Sequence, residues 1–406
     1  MERRVVITGL GIWSCLGTNL DEVRQSLYSG KSGIIFSQAR KDAGFRSALC
    51  ADVPKADLKK YLSRDLRKLM PEEAQYGYLA TIQALEHAKM DQDFLDQNEV
   101  GVIYGNDSVA EATMQALDKF RQAGSTAACG SGAIFQSMNS TVTMNLATLL
   151  HLRGINLTAS AACASGSHSV GLGYLLIKDG LQDCIICGGA QEANMYSVAS
   201  FDGLMAFSTR EDEPTKASRP FDRDRDGLVP GGGAATLVLE SYEHAVKRGA
   251  PILAEIVGWG FSGNGDHIST PNVAGPTRSL ELCLKNGGIN PRDIGYINAH
   301  ATSTHAGDGR EALAIANIFG DYRVPVTSTK SQTGHEMWMA GASELIYSIL
   351  MMKNDFIGGS LNFENPDEDT ACINVIPETR EAHFDMFLSN SFGFGGTNSS
   401  LIIKNL

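Results

Sequence analysis

Asn156-Leu-Thr-Ala-Ser-Ala-Ala-Cys163-Ala-Ser-Gly166 passes from a short strand-like run into a cluster of small residues and then into helical spacing over 166–178. A turn at Asp179-Gly180 and the apolar run Cys184-Ile-Ile-Cys187 follow. The stretch therefore reads as a strand, a polar loop, a helix and a returning strand. The same layout recurs in other letters at Val324-Pro-Val-Thr-Ser-Thr-Lys330, with a loop at Gly334-His335, a helix over 342–353, a turn at Asn354-Asp355 and an apolar stretch at 356–360. Two such units predict an internal duplication, with both polar loops near a shared pseudo-twofold where two halves build one site.

Outward from these units, apolar runs at 4–8, 100–104, 234–239 and 294–298 read as further strands, and 74–89 shows helical periodicity. Strands alternating with helices imply an α/β fold. At 406 residues the chain exceeds the roughly 250–300 at which one core stops growing. We expect two halves, 1–250 and 251–406, joined near Lys247-Arg-Gly-Ala-Pro251.

Composition narrows the class. The chain is 43% hydrophobic and 20% charged with 43 glycines, which suits an enzyme rich in tight strand-to-helix turns. A formal charge of −12 argues against general binding to nucleic acid or an anionic membrane. The start, Met-Glu-Arg-Arg-Val-Val-Ile-Thr-Gly, lacks the apolar region of a signal peptide, and no run reaches the length of a membrane span. Eight cysteines without a secretory signal read as reduced thiols, so the expected location is the cytoplasm. Cys184 and Cys187 form a CxxC inside an apolar strand, where buried structural thiols fit better than a redox pair or half a zinc site.

Three further motifs fail on spacing. Gly9-Leu-Gly11 looks like a dinucleotide fingerprint, but Ser14 stands where the third glycine belongs. His335-Glu336 has no second histidine where a zinc peptidase needs one, and Gly231-Gly-Gly233 leads into a strand without the Lys-Ser/Thr of a P-loop. No metal site is expected.

The residues that carry chemistry sit at strand ends. Cys163 lies between a strand and a helix among small neighbours, where a sharp turn exposes the thiol and the helix N-terminus lowers its pKa and offers N–H groups to an oxyanion. His300 ends a strand in Asn298-Ala-His-Ala-Thr-Ser-Thr304, and Lys330 and His335 share the loop after another. In α/β sheets ligands gather outside the carboxyl ends of strands, so these four groups are candidates to converge.

Ala162-Cys163-Ala164, His300-Ala-Thr-Ser-Thr304, Lys330-Ser-Gln-Thr-Gly-His335 and Asn390-Ser-Phe-Gly-Phe-Gly-Gly-Thr-Asn398 resemble the signature blocks of the β-ketoacyl synthases of type II fatty-acid synthesis. Val5-Val-Ile-Thr-Gly-Leu-Gly11 and Ser218-Arg-Pro-Phe-Asp-Arg-Asp-Arg-Asp-Gly227 are similar as well, and the likeness spans the chain in family order. It implies the thiolase-like fold, a duplicated five-layered αβαβα architecture, and the elongating Cys-His-His class. It implies a decarboxylative condensation of an acyl group on Cys163 with malonyl-acyl carrier protein (ACP). His300 and His335 would stabilise the enolate, Lys330 would organise the site with Glu344 as its indirect partner, and the N–H groups of Cys163 and Phe394 would form the oxyanion hole. Thr302 and Thr304 would hold the phosphopantetheine arm delivered on ACP, with no permanently bound cofactor, and Phe394 would gate the site. Asp107, Ser108, Phe201 and Asp202 fall where the family lines its acyl pocket. Arg64, Arg67 and Lys68 fall where it grips ACP, and a homodimer is the implied assembly.

The chain departs from the family pattern at Gly334-His-Glu-Met-Trp-Met-Ala-Gly341, where Trp338 and two methionines replace small residues, and at the polar Gly105-Asn-Asp-Ser108. These departures keep open a pathway-specific synthase elongating a polyene or polyketide chain. A non-catalytic chain-length partner subunit is disfavoured by the cysteine at 163. A thiolase is disfavoured by the C-terminal glycine loop, which lacks a cysteine, and an initiating synthase by His335 in place of asparagine.

Overall fold

The computed structural model describes residues 3–406; Met1 and Glu2, the first residues of the expected N-terminal half, lie outside it. Its strands are β1 (Val5–Trp13), β2 (Ile34–Phe36), β3 (Leu49–Ala51), β4 (Val100–Gly105), β5 (Asn156–Ala159), β6 (Cys184–Gln191) and β7 (Gly233–Ser241). There follow β8 (Ala254–Gly263), β9 (Tyr296–Asn298), β10 (Pro325–Thr327), β11 (Phe356–Ile357), β12 (Asn374–Val375), β13 (Arg380–Glu381), β14 (Met386–Gly393) and β15 (Thr397–Lys404). Eleven of them form one sheet in the order β12-β10-β9-β14-β15-β8-β1-β7-β6-β4-β5.

The expected duplication is visible in that order. From the antiparallel β1–β8 junction, β1-β7-β6-β4-β5 runs one way and β8-β15-β14-β9-β10 the other. Each series has two antiparallel pairings followed by two parallel ones. Strand for strand, β5 corresponds to β10 and β6 to β14. The second unit does not return at 356–360, where its apolar stretch predicts the returning segment. Phe356–Ile357 pairs with β13 in a separate two-stranded sheet, and the true return is β14. The intervening chain supplies the extra edge strand β12, and a short apolar run alone could not tell these apart.

Helices cover both outer faces and fill the space between the halves. Glu72–His87 packs on β1 and β7, and Ala274–Gly287 on β8 and β15. Between the halves, Ser165–Lys178 packs on β4, β6 and β15, while Ala340–Lys353 packs on β14, β6 and β7 and on Ser165–Lys178 itself. These are the five layers of the thiolase-like fold. Every residue of Ala340–Lys353 except Lys353 is buried, as a helix apolar all round should be.

Glycine lets the two central helices meet. A Cβ at Gly341 would lie 2.5 Å from the Ser167 nitrogen, and one at Gly166 would lie 3.0 Å from the Ala342 nitrogen. Their N-terminal turns therefore touch, bringing the loop of the first unit against that of the second. Gly9 and Gly11, the failed dinucleotide motif, serve a similar end: a Cβ at either would strike a carbonyl of Glu72–His87, 2.2 and 1.9 Å away. Cys184 packs in the core cluster outside the sheet and Cys187 in the one inside it, so the CxxC straddles a strand. All eight cysteines are free thiols. Among the described residues no helix is long and apolar enough to cross a membrane.

Candidate active site

Cys163 follows β5 through a turn in which Ala162 takes a left-handed φ of 47°, a conformation that costs a residue with a Cβ about 1–2 kcal/mol. Surrounding groups hold it. The Ala162 N–H donates to Asp107 Oδ2 at 3.1 Å, the Ala161 N–H donates to Ser165 Oγ at 2.8 Å, and that hydroxyl donates to the Ala162 carbonyl at 2.7 Å. The helix Ser165–Lys178 starts two residues on.

The second half brings its groups to the same point. His300 leaves the end of β9, where Glu311 accepts from the N–H groups of His300 and Ala301 at 2.9 and 2.7 Å and from Asn390 Nδ2 at 3.0 Å. Asp308 similarly gathers the N–H groups of Thr302, Ser303, Thr304 and Phe221. His335 is fixed by its own N–H donating to the Val229 carbonyl at 2.7 Å. The histidine rings meet edge to face, 5.4 Å between centroids and 87° apart. Cys163 Sγ and one ring nitrogen from each histidine all lie within 4.8 Å of one another. Lys330 forms a buried ion pair with Glu344 beside them.

Burial sets the electrostatics. It pushes both imidazoles well below the ordinary histidine range, with the Lys330 charge acting in the same direction, so both rings are neutral near pH 7. A neutral imidazole can donate one hydrogen bond, and neither His335 nitrogen nor His300 Nδ1 has a partner. Burial also pushes the Cys163 thiol up to about 12, against the pull of Lys330 and of the Phe394 and Cys163 N–H groups at its sulfur. The helix N-terminus was expected to lower this pKa; desolvation of the buried thiol outweighs it. The two N–H groups at the sulfur nonetheless form a ready oxyanion site.

A cavity of about 300 Å³ leads to this cluster, lined by Cys163, His300, His335, Thr302, Thr304 and Phe394 among others. The hydroxyls of Thr302 and Thr304 lie 3.2 Å apart on its wall. Phe394 is 38% exposed on a loop carried by left-handed Gly395 and Gly396. Of the four expected acyl-pocket residues, Phe201 lines the cavity. Asp202 does not: its carboxylate accepts from the N–H groups of Arg46 and Ser47 at 2.7 and 3.0 Å. Asp107 is likewise turned to the Ala162 backbone, and Ser108 accepts from Trp338 Nε1 at 3.3 Å. A short carboxylate beside unpaired N–H groups satisfies them rather than face an apolar cavity. Met337, Trp338 and Met339 are all buried, and Trp338 packs with Phe201, Phe207 and Cys163.

Arg64, Arg67 and Lys68 lie apart from this site, on a surface groove shared with Lys55 and Lys59. Sequence reasoning missed Glu311, Asp308 and Glu336. The first two were detectable in principle as acids one to two turns into a helix that follows a strand-end loop, where they can cap that loop's N–H groups. Glu336 is 1% exposed and accepts from Ser343 Oγ at 2.5 Å and Tyr347 Oη at 2.9 Å, contacts that no local pattern announces.

Residues 2–245 match the family described as β-ketoacyl synthase, N-terminal domain, and residues 253–364 its C-terminal domain. A 3-oxoacyl-[acyl-carrier-protein] synthase 1 from Haemophilus influenzae is 41% identical over 405 residues, 99% of either chain. The crystal structure of a β-ketoacyl synthase from Burkholderia phymatum superposes with a TM-score of 0.96 at 37% identity over the whole of both chains. The ishigamide ketosynthase/chain length factor superposes at 0.92 with 30% identity, again over both whole chains.

Proposed function

The chain belongs to the β-ketoacyl synthase family, and from that membership we propose that it is a 3-oxoacyl-ACP synthase of fatty-acid elongation. The observation that carries the reading is the meeting of Cys163 with two neutral imidazoles beside a pair of N–H groups at its sulfur. The N-terminal half, 1–250, supplies the nucleophile and the C-terminal half, 251–406, the histidines and the lysine.

In the first half-reaction the Cys163 sulfur attacks the thioester carbonyl of acyl-ACP. The developing oxyanion takes the N–H groups of Cys163 and Phe394, and the thiol proton leaves on the freed phosphopantetheine thiol. Because the resting thiol is protonated, it loses its proton as the substrate arrives rather than beforehand. In the second, His300 and His335 donate to the thioester carbonyl of malonyl-ACP. Its carboxylate leaves as CO₂, and the enolate carbon attacks the acyl group on Cys163, giving 3-oxoacyl-ACP and, with one proton, the free thiol. Neutral imidazoles hydrogen-bond the enolate without handing it a proton readily. Burial keeps both rings neutral, with the Lys330 charge acting in the same direction, and Thr302 and Thr304 hold the arm of ACP through their hydroxyls. The Phe394 loop acts as the gate.

ACP docks on the groove at Arg64, Arg67 and Lys68, whose charge suits an acidic carrier. A homodimer and a cytoplasmic location complete the reading. Supporting the dimer, β5 is an open sheet edge carrying exposed Leu157, and Met114, Leu117, Phe120, Ile134 and Phe135 are exposed on nearby segments. Eight free thiols support the location.

A second reading, a synthase elongating a polyene or polyketide chain, is favoured by a row of rings beside Cys163. Phe201 stacks on Phe207 at 6.3 Å and 10° and on Phe394 at 5.9 Å and 17°. A panel of acyl-ACPs differing in length and unsaturation, each with malonyl-ACP and read by product mass, tests both. Turnover of saturated primers supports the first reading, preference for conjugated ones the second, and no 3-oxoacyl product from any primer overturns both.

A further inference from the structure

Cys163, His300 and His335 offer one sulfur and two nitrogens that lie within 4.8 Å of one another, and all three side chains are buried. Both His335 nitrogens and His300 Nδ1 are buried without a hydrogen-bond partner, so whichever His335 nitrogen carries the lone pair of the neutral ring is free to bind a ligand. One thiolate and two imidazoles, all three lining the same cavity, match the nitrogen and sulfur ligand set that zinc takes with three protein donors and one exchangeable position. Tetrahedral coordination at about 2.0–2.3 Å places donors roughly 3.3–3.8 Å apart, so side-chain rotations of about an ångström close the set.

We propose that these three residues form a binding site for one borderline-soft divalent cation, zinc being the type, whose occupancy blocks the thiol. The step is an exchange: the Cys163 Sγ–H bond breaks, its proton goes to solvent, an Sγ–metal bond forms, each histidine donates a lone pair, and water fills the fourth position. No electron is transferred. Hard cations such as magnesium are rejected, because the site offers no oxygen donor. Lys330 opposes the incoming charge, and its pairing with Glu344 offsets that repulsion. The ion-binding claim rests on geometry alone, whereas the block of condensation rests also on Cys163 being the nucleophile.

The test uses the full-length protein, stripped with a chelator and dialysed against buffered free zinc, with bound metal counted and Cys163 alkylation read by peptide mass. One equivalent should bind and protect Cys163 from alkylation. Cys163→Ala should lose that equivalent, His335→Ala should bind at least tenfold more weakly, and magnesium should neither bind nor protect. Lys330→Gln, which removes the repelling charge, should bind more tightly, which a merely unfolded variant could not do. Zinc that binds equally well to Cys163→Ala, as it would at exposed His383 between Asp355 and Asp385, overturns the proposal, and so does the absence of binding. If zinc protects Cys163 yet condensation continues at the normal rate, the site stands and the catalytic reading of Cys163 falls.

Discussion

At the scale of single residues, Cys163→Ala should abolish acyl transfer while the thermal midpoint and circular dichroism stay near wild type, because the side chain's value is chemical. His300→Ala or His335→Ala should still accept an acyl group on Cys163 but release CO₂ from malonyl-ACP far more slowly. Each loses one enolate donor, about 2.7–4 kcal/mol by analogy with oxyanion-hole deletions. CO₂ release at the normal rate from either variant would show the role to be wrong. Glu311→Gln should lower both stability and turnover, since an amide cannot accept from two N–H groups as the carboxylate does, a loss of about 1–3 kcal/mol. Cys163, His300, Lys330 and His335 were legible because each stands in a loop of small residues at a strand end. Asp107 and Asp202 turn to backbone N–H groups, because sequence position fixes which loop a side chain is on, whereas the nearest unpaired N–H groups decide which way it turns.

At the scale of elements, the contact between the central helices positions the two loops. Gly341→Ala, whose Cβ would stand 2.5 Å from the Ser167 nitrogen, should destabilise the protein by about 1–3 kcal/mol and depress turnover. A surface Gly→Ala exchange at exposed Gly263 serves as control, since no atom lies within 4 Å of a Cβ there and its backbone is not left-handed. Glu336 and Glu344 are both buried, and desolvation pushes both carboxyls up to about 7, that of Glu344 against the pull of its partner Lys330. A raised folded-state pKa means that the native chain binds more protons than the unfolded one between about pH 4.5 and 7. Their contribution is therefore fully present below pH 4.5 and is lost as the pH rises through 7, at up to about 1.4 kcal/mol per unit for each group. Glu336→Gln should accordingly flatten the fall of the thermal midpoint between pH 5 and 8; an unchanged slope would remove Glu336 as a source. The strand-loop-helix layout was readable from periodicity, but the return by β14 was not, because the inserted 356–385 segment offers an equally apolar decoy.

At the scale of the whole molecule, the acidic chain carries a basic groove that shares no residue with the cavity at its reactive centre. Reversing charge at Arg64 and Lys68 should raise the apparent KM for ACP-bound substrate, most at low salt, and leave a small thioester mimic unaffected. An equal effect on both substrates would point to damage elsewhere. The two-half plan was foreseeable because a repeated layout survives even where the letters diverge, but the single continuous sheet through β1 and β8 was not. Strand pairing between halves depends on edges that meet only once each half has folded. The central claim is that Cys163 carries the acyl group between two carrier-protein encounters. Its most direct test is peptide mass spectrometry after mixing the protein with acyl-ACP alone and then adding malonyl-ACP. The account predicts one acyl group on the Cys163 peptide, which disappears as 3-oxoacyl-ACP and CO₂ form; product forming with Cys163 never acylated would contradict it.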